Sequence, residues 1–170
     1  MNVRGIVLPA LLAPAASAPQ AQERKWIGSG GASPLPPSPG AGPFPATPSF
    51  NDQTVRMVVR TSLGGRRARV TLSNVFGNMP LKIGAAHIAL RSTDSGIMPG
   101  SDRSLMFNGT PGVTIAQGAY VTSDVVDIDV PQLGDLAISV YVPGDSGQLT
   151  MHGTGLHTTY IAKGNVAGES

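Results

Sequence analysis

The 170-residue sequence has no cysteine, so its fold holds without disulfides, and it has neither a cysteine metal site nor a cysteine nucleophile. Aromatic residues supply 5% and charged residues 13% of the chain, which leaves little material for long charged helices. The formal net charge of +2 is too small to imply a nucleic-acid partner. No apolar run approaches the ~20 residues that span a bilayer. There is no internal repeat, and no segment longer than a turn carries helical periodicity. What the chain does have is glycine (22) and proline (15), hence many turns. Together with its length, this composition points to one all-β domain with appendages.

The first segment, residues 1–22, reads as a secretory signal peptide. Arg4 precedes a short apolar stretch, Gly5 to Ala13, and small residues end in Ala16-Ser17-Ala18. The expected location is therefore secreted or periplasmic. Residues 23–49 form a proline-rich extended segment that either wraps the domain or acts as a spacer. Ser33 to Pro48 alone holds seven prolines, with Phe44 its only aromatic residue. The single tryptophan, Trp26, is open to two readings: an anchor at a core or sheet edge, or a platform for stacking a sugar.

The domain proper is expected over 50–164, with 165–170 as a tail or linker. Val55–Thr61 and Ala68–Val75 alternate apolar and polar residues, the first placing Val55, Met57 and Val59 on one face and Arg56, Val58 and Arg60 on the other. Between them Gly64-Gly65 predicts a tight hairpin turn with positive φ. Further strands are expected over Leu81–Arg91 (with Gly84 a bulge or crowded point), Ser104–Asn108, Val113–Ile115, Ala119–Thr122, Val125–Val130, Leu136–Val142 and Thr158–Ala162. Val126, Ile128 and Val130 should point inward, and Asp127 and Asp129 outward. Eight or nine short strands predict an antiparallel, jelly-roll-like β-sandwich.

The order Gln53-Thr54, Arg56, Val58-Val59, Arg60, Ser62, Gly64-Gly65, Arg67, Arg69, Leu72-Ser73-Asn74, Phe76-Gly77, Pro80-Leu81 and Ile83-Gly84 resembles the region ahead of the catalytic domain in secreted SGNH/GDSL-type esterases. Pro99-Gly100-Ser101-Asp102, Phe107-Asn108-Gly109, Gly118-Ala119, Ser123-Asp124, Leu136 to Tyr141, and His152 followed by Tyr160 continue it. The resemblance spans roughly Trp26 to Gly164. It implies a non-catalytic accessory domain, partnered by a C-terminal SGNH hydrolase domain whose serine hydrolyses an ester. A free-standing module binding carbohydrate or another cell-surface ligand is the alternative, and a structural domain shielding a neighbour is a third.

Candidate chemistry is sparse. Gly144-Asp145-Ser146 matches the family's nucleophile tripeptide, but Gly147-Gln148-Leu149-Thr150 does not read as a helix. No Asp-x-x-His precedes His152 or His157, since Leu149 and Thr154 stand there. Without a base and oxyanion donors the tripeptide is expected to be a turn. His87, His152 and His157 lack acidic or cysteine neighbours at ligand spacing. Asp124, Asp127 and Asp129 would need Asp94 or Asp102 to complete a calcium cage. Gly28–Gly31 lacks the strand-to-helix context of a phosphate loop. No catalytic, metal or cofactor-binding residue is therefore assigned, and no nucleic-acid partner, membrane span or cofactor is expected. The arginines Arg56, Arg60, Arg66, Arg67 and Arg69 and the later Asp124, Asp127, Asp129 and Asp135 leave two readings, charges opposed across strands or an anion-binding surface.

Overall fold

The computed structural model describes residues 25–41, 45–153 and 155–169; the segment 1–22, expected as a signal peptide, and Phe44 lie outside them. Eleven strands and no helix make up the described residues, and every ladder is antiparallel. Nothing among them is a helix long and apolar enough to cross a membrane.

One layer is a five-stranded sheet. Its strands are β1 (Gln53–Arg60), β5 (Ala85–Leu90), β6 (Arg103–Ser104), β10 (Asp135–Val142) and β11 (Tyr160–Lys163), in the order β11-β1-β10-β5-β6. The other layer consists of three two-stranded ladders: β2 (Gly65–Ala68) with β9 (Val126–Val130), β3 (Thr71–Ser73) with β8 (Tyr120–Thr122), and β4 (Leu81–Ile83) with β7 (Val113–Ile115). Between them lies a core built from Leu136, Ile138, Val140 and Val142 of β10, Ala86 and Ile88 of β5, Leu81 and Ile83 of β4, Ile115 of β7 and Ile128 of β9, plugged by Leu105 and Phe107. The inward set of β9 is the alternate one expected from its pattern. The architecture is all-β, antiparallel and sandwich-like.

The expected hairpin does not form. β1 pairs with β10 and β11, whereas β2 pairs with β9. Arg60 faces Asp135 and, five residues further along each strand, Gly65 faces Val130. The ladder thus keeps its register while both strands pass from one layer to the other, and β3–β8 prolongs it. The result is one long ribbon folded over a corner. Thr61 pins that corner: its hydroxyl donates to Pro131 O (2.6 Å) and its amide to Gly134 O (2.8 Å). Gly64 and Gly65 have no positive φ. Gly64 is required for closeness instead, because a Cβ there would lie 2.8 Å from Val130 O. A Cβ at Gly65 would meet only Arg67 O at 3.8 Å, an ordinary contact.

Two other expected strands are divided, which raises nine to eleven. Of Ala68–Val75 only Ala68, which ends β2, and Thr71–Ser73, which form β3, are strand, and β2 begins at Gly65, inside the expected turn, because it pairs with β9; Leu81–Arg91 splits at Gly84 into β4 and β5, each half in a different layer. Gly84 is the crowded point anticipated, with Tyr141 Cδ1 2.8 Å from where its Cβ would be. Ser104–Asn108 is only partly a strand, β6 ending at Ser104 and Phe107 closing a small bridge to Thr110. The proline-rich segment wraps the domain: Leu35 bridges Met151, and Ser29 O accepts from the Ser62 amide.

Candidate functional site

Side chains that can do chemistry meet on the sheet face opposite the core. Register places Ser104 (β6), His87 (β5), Ser139 (β10), Arg56 (β1) and Tyr160 (β11) in a single row across all five strands. Two segments roof it. The loop after β5 covers one side, with Ile97 packed on Ala89 and Ala137. Residues 165–169, expected as a tail, cover the other: Ala167 is buried, and Val166 N donates to Thr54 Oγ1 at 3.0 Å. Beside the roof a cavity of about 300 Å³ is lined by Thr54, Arg56, Ser95, Tyr160, Val166 and Glu169, among others.

The row's geometry is that of a fastener. Arg56 donates to Ser139 Oγ (2.8 Å), Ser95 O (2.6 Å), Ala167 O (3.5 Å) and Glu169 O, so one guanidinium ties β10 to both roofing segments. His87 Nδ1 meets the Asp102 carboxylate at 2.9 and 3.1 Å. Serine, histidine and aspartate are thus neighbours, but the nearby hydroxyls are otherwise engaged. Ser139 Oγ accepts from Arg56, and Ser104 Oγ contacts Met106 Sδ. Among the described residues no serine is hydrogen-bonded to His87, so the nucleophile–base contact of a hydrolase is not formed among them.

Gly144-Asp145-Ser146 lies elsewhere and forms a turn. Ser146 is fully buried; its hydroxyl accepts from Phe50 N (2.8 Å) and donates to Gly147 O (3.1 Å), while the Asp145 carboxylate accepts from Gly147 N (2.9 Å). The other histidines are separate: His152 Nδ1 lies 3.1 Å from Ser33 O, and His157 lies 4.0 Å from Asp135. Asp124 accepts from the amides of Asn108 and Gly109, while Asp102 holds His87, so the imagined calcium ligands are dispersed. Among the described residues no three His, Asp or Glu gather as a metal would require.

One polar centre escaped sequence reasoning. Asn74 is wholly buried; the two hydrogens of its Nδ2 are shared among Met79 O (2.9 Å), Ile115 O (3.1 Å) and Ala116 O (3.2 Å), tying the loop before β4 to the end of β7. Its Oδ1 has no partner and lies 1.8 Å from where a Gly77 Cβ would stand, so the Asn-Val-Phe-Gly turn admits only glycine there. Asp135, at the start of β10, binds Arg60 (3.1 Å) and Arg91 (3.2 Å). Burial pushes its pKa up, but hydrogen bonds from Arg60 and Arg91, with the charges of Arg60 and His157, outweigh that and hold it below the ordinary carboxylate value. Tyr141 donates to Asp52 (2.9 Å), and that bond, then desolvation, raises the phenol's pKa.

Charges do oppose each other across strands, Arg67 facing Asp127 and Arg60 facing Asp135. Trp26 stacks under Arg69, whose Cζ lies 4.6 Å from the ring centroid, and remains 46% exposed. No model of a known protein family matches the chain, and no curated protein matches it.

Proposed function

We propose that this chain is the amino-terminal, non-catalytic β-sandwich domain of a secreted or periplasmic SGNH/GDSL-type serine esterase, working beside a C-terminal catalytic domain. The observation that carries the reading is where the family-like residues are used. Arg56, Asn74, Gly77 and Gly84 each fasten strands, loops or close contacts. The Gly-Asp-Ser tripeptide, which would be the nucleophile in a catalytic domain, is here a turn whose serine is buried and accepts from Phe50 N. Residues spent on the fold suit an accessory domain, whose family likeness would lie in its architecture.

The coding sequence beyond the Ser170 codon tests this most cheaply. It is expected to encode an apolar strand, Gly-Asp-Ser and a helix; a stop codon directly after Ser170 contradicts the reading. The isolated chain should show no turnover of short p-nitrophenyl esters above background. Turnover that disappears in Ser146→Ala would make this turn a site after all.

A second reading, a carbohydrate-binding module, is favoured by the half-exposed Trp26 under Arg69. Binding of a glycan by the isolated chain would support it, and both readings hold together if an accessory domain also binds sugar.

A further inference from the structure

The β2–β9 ladder is bulged. Between the pairs Gly65–Val130 and Arg67–Asp127, β9 carries Ile128 and Asp129 where β2 has only Arg66. A bulge adds twist and re-aims side chains. Ile128 stays in the core, while Asp129 and Arg66 are exposed. A cleft of about 450 Å³ opens here, lined by Arg66, Arg67, Arg103, Asp127, Ile128 and Asp129.

Arg103 reaches it from the other layer, held by the carbonyls of Asp127 (3.2 Å), Gly100 (2.8 Å) and Asp102 (2.7 Å). Arg66 and Arg67 form no hydrogen bond or ion pair among the described residues, and neither do the carboxylates of Asp127 and Asp129. Charges directly opposed across a ladder ordinarily close on one another. Here three guanidinium groups and two carboxylates surround open space. Planar guanidinium forks suit a carboxylate or phosphate bidentately, and free carboxylates accept from hydroxyls. Three positive charges against two negative leave the lining at one positive charge. That balance suits a ligand with one anionic group per unit and hydroxyls around it, and disfavours a phosphodiester strand, whose binding needs many neutralised phosphates. Ala68 and Val70 pack on the core, so Arg67 and Arg69 alternate away from it, which sets the Trp26–Arg69 stack two residues along from the cleft.

We infer that this bulge cleft binds an acidic, uronate-type sugar, with Arg66, Arg67 and Arg103 on its carboxylate and Asp127 and Asp129 on its hydroxyls. The site does not depend on a catalytic domain, so its test on the isolated chain stands or falls separately from the accessory-domain reading. Isothermal titration of the chain with short alginate oligomers should give binding. Their carboxyl-reduced counterparts and single-stranded DNA should bind at least tenfold more weakly. An Arg66→Gln, Arg67→Gln double variant should lose at least tenfold in affinity, with its unfolding midpoint compared with the parent's. Arginine Nε–H signals of the unaltered protein, followed by NMR, should shift for Arg66 and Arg67 on adding the oligomers, a readout that needs no variant to fold. Absence of binding, equal binding of the uncharged sugar or of DNA, unchanged affinity in a folded double variant, or unmoved Arg66 and Arg67 signals would each overturn the proposal.

Discussion

Arg56 and Arg67 lie on the same folded ribbon, eleven positions apart, yet they are used in opposite ways. Arg56 sits in a wide sheet between two partners, roofed by two segments, with donors spent on one serine and three carbonyls. Arg67 sits in a two-stranded ladder next to a bulge, facing a carboxylate it does not bind. An arginine ringed by acceptors is a cross-link whose loss strands several carbonyls. An arginine at an open cleft adds almost nothing to folding, and its donors remain available to a ligand. The wide sheet is where the chain is held together, and the bulged ladder is where it can afford unfilled charges.

That contrast can be broken most severely in the middle of the sheet. Ile138 is 5% exposed on the central strand, so Ile138→Asp puts an unpaired carboxylate in the core. A loss of about 3–5 kcal/mol, or failure to fold, is expected by urea denaturation. The corner joining the two regions comes next. Gly64→Val forces a Cβ against Val130 O and should cost about 1–3 kcal/mol, read as a lowered thermal midpoint.

Acidification probes the end of the central strand through Asp135. Its carboxyl has a lower pKa folded than unfolded, so its contribution is complete above the ordinary value of 3.8 and is lost as pH falls through the folded value. Between about pH 5 and pH 2 the parent should therefore lose more stability than Asp135→Asn does. Equal losses would mean that the Arg60 and Arg91 contacts contribute nothing. The smallest effects belong to exposed ribbon positions. Gly65→Val and Arg60→Gln should each stay within about 0.5 kcal/mol in thermal melts, since a Cβ at Gly65 meets no clash and Arg60 is a largely exposed pair partner.

Periodicity made much of the fold legible. The inward face of β9 follows from alternation alone, β10 stood out as the most apolar strand, and Gly84 announced itself as a crowded glycine within an apolar run. Pairing was not legible. Gly64-Gly65 between two β-rich runs carries the same local signal whether the chain turns back or bends around a corner, and only the matching bend at Pro131–Gly134, some 70 residues later, decides it. The role of Arg56 was hidden for the same reason, because its acceptors lie 39 to 113 residues away. Of the bulge cleft, the clusters of Arg and Asp were visible, but the extra residue in β9 that opens it exists only once β2 and β9 have paired.

Urea denaturation of Arg56→Ala beside Arg67→Ala, without ligand, tests the division of labour most directly. Loss of the charged donor to Ser139, Ser95, Ala167 and Glu169 should cost about 2–3 kcal/mol, whereas Arg67→Ala should stay within about 0.5 kcal/mol of the parent. If Arg67→Ala is as damaging as Arg56→Ala, the cleft arginines belong to the fold, and the contrast between the two regions is wrong.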